Sequence, residues 1–390
     1  MCGYVGRTVC CAVMLAILFT FNTFAFAQQA GTEDTWTDQH YYARAKVIEV
    51  KDQGEREATV GLGETEKDQL VSVRVTGGKH TGQVLIVPHV MMDHPGYDIA
   101  VTPGDEVILY IEPDGDAIGN AYIADYARDK KLLYLALFFM LLLAVIGGRQ
   151  GIKSIISLAI TGCAIFLVLL PLIFKGYHPI LTTVLISAVV TAITLIIIGG
   201  LSTKTMAAII GTTGGVLVAG LLAFVVGTAA ELTGFSDEEM QMLLYIPQQV
   251  SFNYKGILFA GMIIGALGAV MDVGMSIASA VEEIKRANPL LKSSQLIRAG
   301  MNVGRDIMGT MANTLILAYT GGAIPLMLVF MAYDMPMLKM LNLDLIATEV
   351  VRALAGSVGL ILAVPITAIT AGMLLGTSQK PPHADHFYRQ

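Results

Sequence analysis

Two hydrophobic patterns divide the chain. Between Tyr41 and Tyr126, apolar and polar residues alternate in short runs at 45–50, 70–76, 83–87 and 106–112, most plainly in Leu70, Val71, Ser72, Val73, Arg74 and Val75. Alternation of period two puts one side of a segment into a core and the other into solvent, so these runs predict strands. Gly77 and Gly78 before Lys79 and His80 predict a hairpin, and Pro103, Gly104 and Asp105 a second turn. Short strands over about 85 residues predict a small all-β barrel of SH3-like or OB-like type.

From Leu132 onward the alternation gives way to continuous apolar runs at 132–147, 155–174, 180–198, 206–230, 257–280, 303–332 and 353–375. Each approaches or exceeds the ~20 residues that a bilayer core requires, which predicts seven transmembrane helices. The run 303–332 is too long for one straight span, and Gly321, Gly322 and Pro325 are where it is expected to break. Pro171 is expected to end the second span, and Pro365 to kink the seventh. Gly147 with Gly148, and Gly199 with Gly200, close two spans in the same way.

Composition agrees with a membrane body. Of 390 residues, 54% are hydrophobic and 14% charged, with a net charge of −6. The segment 28–130 holds nine Lys/Arg against nineteen Asp/Glu, a net of −10, and the remainder carries +4. An acidic domain repels phosphate backbones and no basic stripe is present, which excludes nucleic acid as a partner.

Arg7, the apolar stretch 9–21 and the Ala25, Phe26, Ala27 end before Gln28 read as a secretory signal, or as an anchor if uncleaved. The expected organisation is therefore a signal at 1–27, an extracytoplasmic β domain at 28–130, a membrane domain at 131–376 and a short cytoplasmic tail at 377–390. Arg149, Lys153, Lys204, Lys285, Arg286, Lys292 and Arg298 would face the cytoplasm, against Lys175, Lys255 and Lys339 outside, an asymmetry that agrees with the signal. Cys2, Cys10 and Cys11 lie in the signal and Cys163 in an apolar run, so the exported domain needs no disulfide.

Two longer connections remain. In 231–256, Ser236 with Glu239 has capping-box spacing and predicts a short interfacial helix. The connection 281–300, with Glu282, Glu283, Lys285, Arg286, Lys292 and Arg298, is expected to be a charged cytoplasmic loop.

Candidate chemistry lies in polar residues within apolar runs, where a charge costs about 2.5–3.5 kcal/mol on insertion scales. In the fifth run Asp272 stands with Gly265, Gly268, Ser276 and Ser279, and Gly268, Asp272 and Ser276, four apart, share a face that would pack closely and carry one carboxylate. In the sixth, Arg305 and Asp306 precede Gly309, Thr310 and Asn313, and Asp306, Thr310 and Asn313 form one stripe. Asp272 and Asp306 are expected at similar depth, either as a coupling site for an ion or proton, or as packing glue with Arg305 neutralising an aspartate. Glu349 and Arg352, three apart, would pair at the outer interface.

His80, His89, Asp93 and His94 fit no metal-ligand spacing and read as a solvated loop, so neither metal nor cofactor is expected. No phosphate-binding loop surrounds Lys204, and no Ser–His pair, HExxH or CxxC suggests an enzyme.

The strings GALGAVMDVGMSIASAVEE at 265–283 and GRDIMGTMANTLILAYTGGAIP at 304–325 resemble the YibE/F-like family of bacterial multi-spanning membrane proteins. The resemblance covers most of 130–376 and implies a protein of the cytoplasmic membrane, with no substrate attached. The expected function is a secondary transporter or channel-like permease for a small solute or ion. The rival is an adaptor or sensor whose outer domain binds an envelope partner or ligand, with a homo-oligomer as another outcome of that surface.

Overall fold

The computed structural model describes residues 40–57, 65–91, 96, 98–114, 117–245 and 252–377. The expected signal, the chain end beyond Thr377, Asp93 and His94 lie outside the described residues. The chain divides into two compact units, residues 1–142 and 143–390.

In the first unit, β1 (Tyr41–Glu57), β2 (Thr65–Val75), β3 (Val84–Met91), β4 (Glu106–Asp114) and β5 (Ala117–Tyr126) form one sheet in the order β3-β2-β1-β4-β5. Every neighbouring pair is antiparallel, and β3 comes back against β5, so the sheet is a nearly closed barrel. Strand alternation supplies the interior: Val71, Val73 and Val75 of β2 and Val107, Leu109 and Ile111 of β4 are buried, while Arg74 and Glu106 point outward. β1 adds Ala43, Ala45 and Val47. Its register with β2 shifts between Val47 and Glu49, after which the even-numbered Val50 packs on the core. A single extra residue, Ile48, thus switches the inward parity and lets one strand serve both ends of the barrel.

The expected turns are present. Gly78, Gly82 and Gly104 all have positive φ, and the β2–β3 connection is a hairpin. After Gly104, one carboxylate oxygen of Asp105 accepts from the Thr102 amide and hydroxyl, both at 2.8 Å. These bonds hold the Asp105 carboxyl below the usual carboxylate range. His89 is buried and its Nε2 is 2.8 Å from the Ile99 carbonyl oxygen, so it is a satisfied core histidine and not a solvated loop residue.

β5 is not apparent from hydrophobic runs, because Gly119, Asn120 and Ala121 interrupt them. It forms because β4 offers a full edge, and Gly119 is required there: a Cβ would stand 2.9 Å from the Glu112 carbonyl oxygen.

The remainder is helical. α1 (Asp129–Ala164) continues through a π turn at Ile165–Leu169 into Leu170–Phe174; then follow α2 (Pro179–Gly199), α3 (Thr203–Ala229), α4 (Tyr254–Ala287), α5 (Ser293–Gly322), α6 (Ile324–Ala332) and α7 (Asp344–Thr377). Among the described residues, five helices are long and apolar enough to cross a membrane, and six if α5 and α6 count as one broken span. α7 packs against α3, α4 and α5, and α4 also against α2 and α3. Gly211, Gly215, Ala219, Ala363 and Ala368 let these backbones approach, with Ile277, Leu296 and Leu360 filling the buried space between them.

Three boundaries differ from expectation. Pro171 does not end its helix; the π turn just before it absorbs the lost hydrogen bond, and the helix runs on to Phe174. The connection 281–300 is mostly helix, since α4 continues to Ala287 and α5 begins at Ser293. Charged residues there extend the helices beyond the apolar runs and do not end them. The predicted capping box at Ser236 is absent: Asp237 occupies the N-cap of a one-turn helix, Glu238–Met242, and the Ser236 hydroxyl has no partner among the described residues. The expected break after Gly321 and Gly322 does occur, at Ala323, with Pro325 in the first turn of α6 and a bend of 56°.

Candidate functional site

Asp272 and Asp306 stand near the middle of α4 and α5. The two helices are antiparallel neighbours, and their glycines fix the register. A Cβ on Gly300 would touch Val281, one on Gly304 would reach Ile277 at 3.2 Å, and one on Gly265 would lie 2.6 Å from the Tyr319 hydroxyl. Gly300 is thus level with Val281 and Tyr319 with Gly265, which puts Asp272 opposite the Gly309–Thr310 turn and Asp306 opposite Ser276. The two carboxylates lie within about one helical turn, ~6 Å, of a common level.

They do not face each other across a buried seam. Gly261, Gly265, Gly268, Asp272 and Ser276 form the exposed stripe of α4, and Arg305, Asp306, Gly309, Thr310, Asn313 and Thr314 the exposed side of α5. Neither carboxylate has a hydrogen bond or ion pair among the described residues. Arg305 and Asp306 form no ion pair among the described residues; residues one apart on a helix point about 100° away from each other, and the guanidinium reaches Asn302 Oδ1 at 3.4 Å. Thr310 and Thr314 turn their hydroxyls back to the carbonyls of Ile307 and Thr310, both at 2.9 Å.

The expected packing glycines divide. A Cβ on Gly265, though the glycine is exposed, would meet the Tyr319 hydroxyl, whereas Gly268, Gly309, Gly321 and Gly322 have nothing within 4 Å of where a Cβ would stand. Close packing falls elsewhere, at Gly211 against Thr367, Gly304 against Val364, and Gly215 against the Gly359 carbonyl oxygen at 2.8 Å. The signal for these was small residues at spacing four, as in Gly211 and Gly215 or Gly300 and Gly304.

A second polar centre lies where α5 breaks into α6. Arg352 Nη1 donates to Glu349 Oε1 at 2.5 Å, and its Nη2 lies 3.4 Å from Asp237 Oδ2. The triad borders a cleft of about 320 Å³ that is also lined by Tyr319, Gly322, Ala323 and Leu326. Asp237 was not foreseen as a partner, since 115 residues separate it from Arg352. At the opposite end of the helices, Lys204 of α3 forms an ion pair with Glu282 of α4 at 2.7 Å.

A buried column of hydroxyls, not apparent from the apolar runs, lies on α2. Thr183, Ser187, Thr191 and Thr194 follow one face of α2, all buried, and the Oγ1 atoms of Thr183, Thr191 and Thr194 have no partner among the described residues. Their spacing of four, four and three was the available signal. No group of three or more His, Cys, Asp or Glu among the described residues is placed to hold a metal ion.

In comparisons with known proteins, residues 135–377 match the family model for YibE/F-like proteins, and residues 39–126 match that of the YibE/F family N-terminal domain. No curated protein and no solved structure gives a significant match.

Proposed function

We propose that this chain, which belongs to the YibE/F family, is a secondary transporter or channel-like permease for a small solute or ion, with Asp272 and Asp306 as its coupling carboxylates. One observation carries this reading: two carboxylates without partners among the described residues stand at nearly one level, in the middle of α4, which is apolar enough to span a membrane, and of α5, which is so together with α6. Membrane helices keep such groups where water, an ion or a counter-charge reaches them. Ser276, Thr310 and Asn313 supply neutral oxygen ligands beside them, and Arg305 a nearby positive charge. The discontinuity between α5 and α6, opening on the Asp237–Arg352–Glu349 cleft, is a second habit of transporters.

In this proposal the membrane domain has seven spans. The first apolar helix, Asp129–Phe174, has 46 residues, about 69 Å at 1.5 Å per residue and more than twice a bilayer core. Gly148 interrupts it with φ 52° and ψ −128°. Beyond that break the chain folds back until a Cβ on Gly151 would overlap the carbonyl oxygen of Leu143, whereas eight residues of straight helix span about 12 Å. Two spans joined at Gly148 account for both facts. The β domain then lies outside the cytoplasmic membrane, and the Lys204–Glu282 end and the C-terminus lie inside, in keeping with the basic residues of the connections. Catalysis is not part of the proposal.

An adaptor role is favoured by one feature of the barrel: Val84, Ile86 and Val90 form an exposed apolar row on β3. Ion-dependent flux in proteoliposomes separates the readings, because an adaptor adds none to the lipid background.

A further inference from the structure

We propose that the Asp272–Asp306 face is completed by a second copy of this chain, the two copies meeting along α4 and α5 about a twofold axis normal to the membrane. This deepens the transport reading and rests on it for the role of the carboxylates.

The face is unsuited to lipid. Asp272, Ser276, Asn302, Arg305, Asp306, Thr310 and Asn313 are all exposed on two adjoining helices, near mid-helix. An ionised side chain at that depth requires a partner or a water-lined cavity. Gly261, Gly268 and Gly309 leave open space along the same face, which allows another backbone to approach closely.

Charge complementarity selects the occupant. A covering helix must bring opposite charge to the level of Arg305 and Asp306. The apolar runs 9–21 and 132–147 contain no Asp, Glu, Lys, Arg or His, and neither does α2. Lys204, the one charged residue of α3, is paired with Glu282. A second copy inserted in the same orientation carries its own Arg305 and Asp306 at the same depth, because a twofold axis along the membrane normal preserves depth. Arg305 of each copy can then meet Asp306 of the other, which adjacency on one helix prevents within a copy. At the level of Arg305 and Asp306 each copy brings two carboxylates and one guanidinium, Arg298 lying two turns nearer the helix start, so Asp272 keeps no fixed counter-charge. That leaves it as the group a coupled cation neutralises.

The test uses the full chain with its four cysteines replaced by serine. Gly309→Cys or Asn313→Cys in native membranes should give a covalent dimer on mild oxidation, while Leu181→Cys on the exposed side of α2 should not. Absence of the dimer at both face positions, or equal crosslinking at Leu181→Cys, overturns the proposal. Charge is tested separately with purified protein in mild detergent, keeping variants that elute as one helical species. Arg305→Asp should weaken dimerisation about tenfold or more, and the exchange Arg305→Asp with Asp306→Arg should restore it. No recovery in the exchanged protein counts against the pairing. Flux is read independently: a dimer without flux removes the transport reading alone, and a monomer that carries flux removes the dimer alone.

Discussion

Gly211 of α3 lies against Thr367 of α7 so closely that a Cβ on the glycine would overlap the threonine Oγ1. The hydroxyl is buried and donates to the Ala363 carbonyl at 2.8 Å, so it has little freedom to move aside. Gly211→Ala should therefore cost about 1–3 kcal/mol through overpacking. Adding Thr367→Ala should recover part of that loss. The thermal midpoint of helical circular dichroism in detergent measures both, and a double variant no better than Gly211→Ala would mean that the strain arises elsewhere.

Arg352 holds two carboxylates, on its own helix and on the segment before Glu238–Met242. Arg352→Met should destabilise the α5–α6 end, because Glu349 and Asp237 are left facing each other without a cation. Since these side chains are partly exposed, a coupling energy of about 1 kcal/mol is expected from a double-mutant cycle with Glu349→Gln. Zero coupling would show that the 2.5 Å contact contributes nothing to stability.

The proposed hairpin at Gly148 makes a topological prediction. In the cysteine-free background, Arg149→Cys and Ser294→Cys should be shielded in intact cells from a thiol reagent that cannot cross the membrane, and Lys79→Cys should be labelled. Labelling of Arg149→Cys from outside would mean that Asp129–Phe174 is not two spans in the proposed orientation.

In the barrel, Asp105 is held ionised chiefly by the Thr102 amide and hydroxyl. A lowered carboxyl pKa contributes stability that is present above the unfolded value, about 3.9, and lost as pH falls through the folded value. A 40–128 fragment should therefore fold alone at neutral pH and lose stability below about pH 4. Asp105→Asn should flatten that acid limb in urea titrations, and an unchanged limb would assign the acid sensitivity to other carboxylates.

The strands were legible because one side of each is buried, as in Val71, Val73 and Val75. β5 was not, because its pairing depends on β4 and not on its own apolar content. The break near Gly322 and Pro325 was readable from the length of the run together with those residues. The stripes carrying Asp272 and Asp306 were visible from their spacing, but their direction was not. Gly211 and Gly215 repeat at the same interval as Gly300 and Gly304, and all four are occluded, while Gly268 and Gly309 stand open. Which side of a helix turns inward depends on neighbours distant in sequence, and α7, which packs on α3, α4 and α5, enters the chain last.

In the proposed mechanism, Asp272 couples ion movement to transport. The most direct measurement is cation flux into proteoliposomes of purified full-length protein, with a pH-sensitive dye inside, a clamped membrane potential, and imposed proton or Na⁺ gradients in turn. Flux above that of empty liposomes is expected for the parent, and its loss in Asp272→Asn at equal reconstitution and unchanged elution. Equal flux from parent and Asp272→Asn at every pH would contradict this mechanism, as would a parent that carries no more than lipid alone.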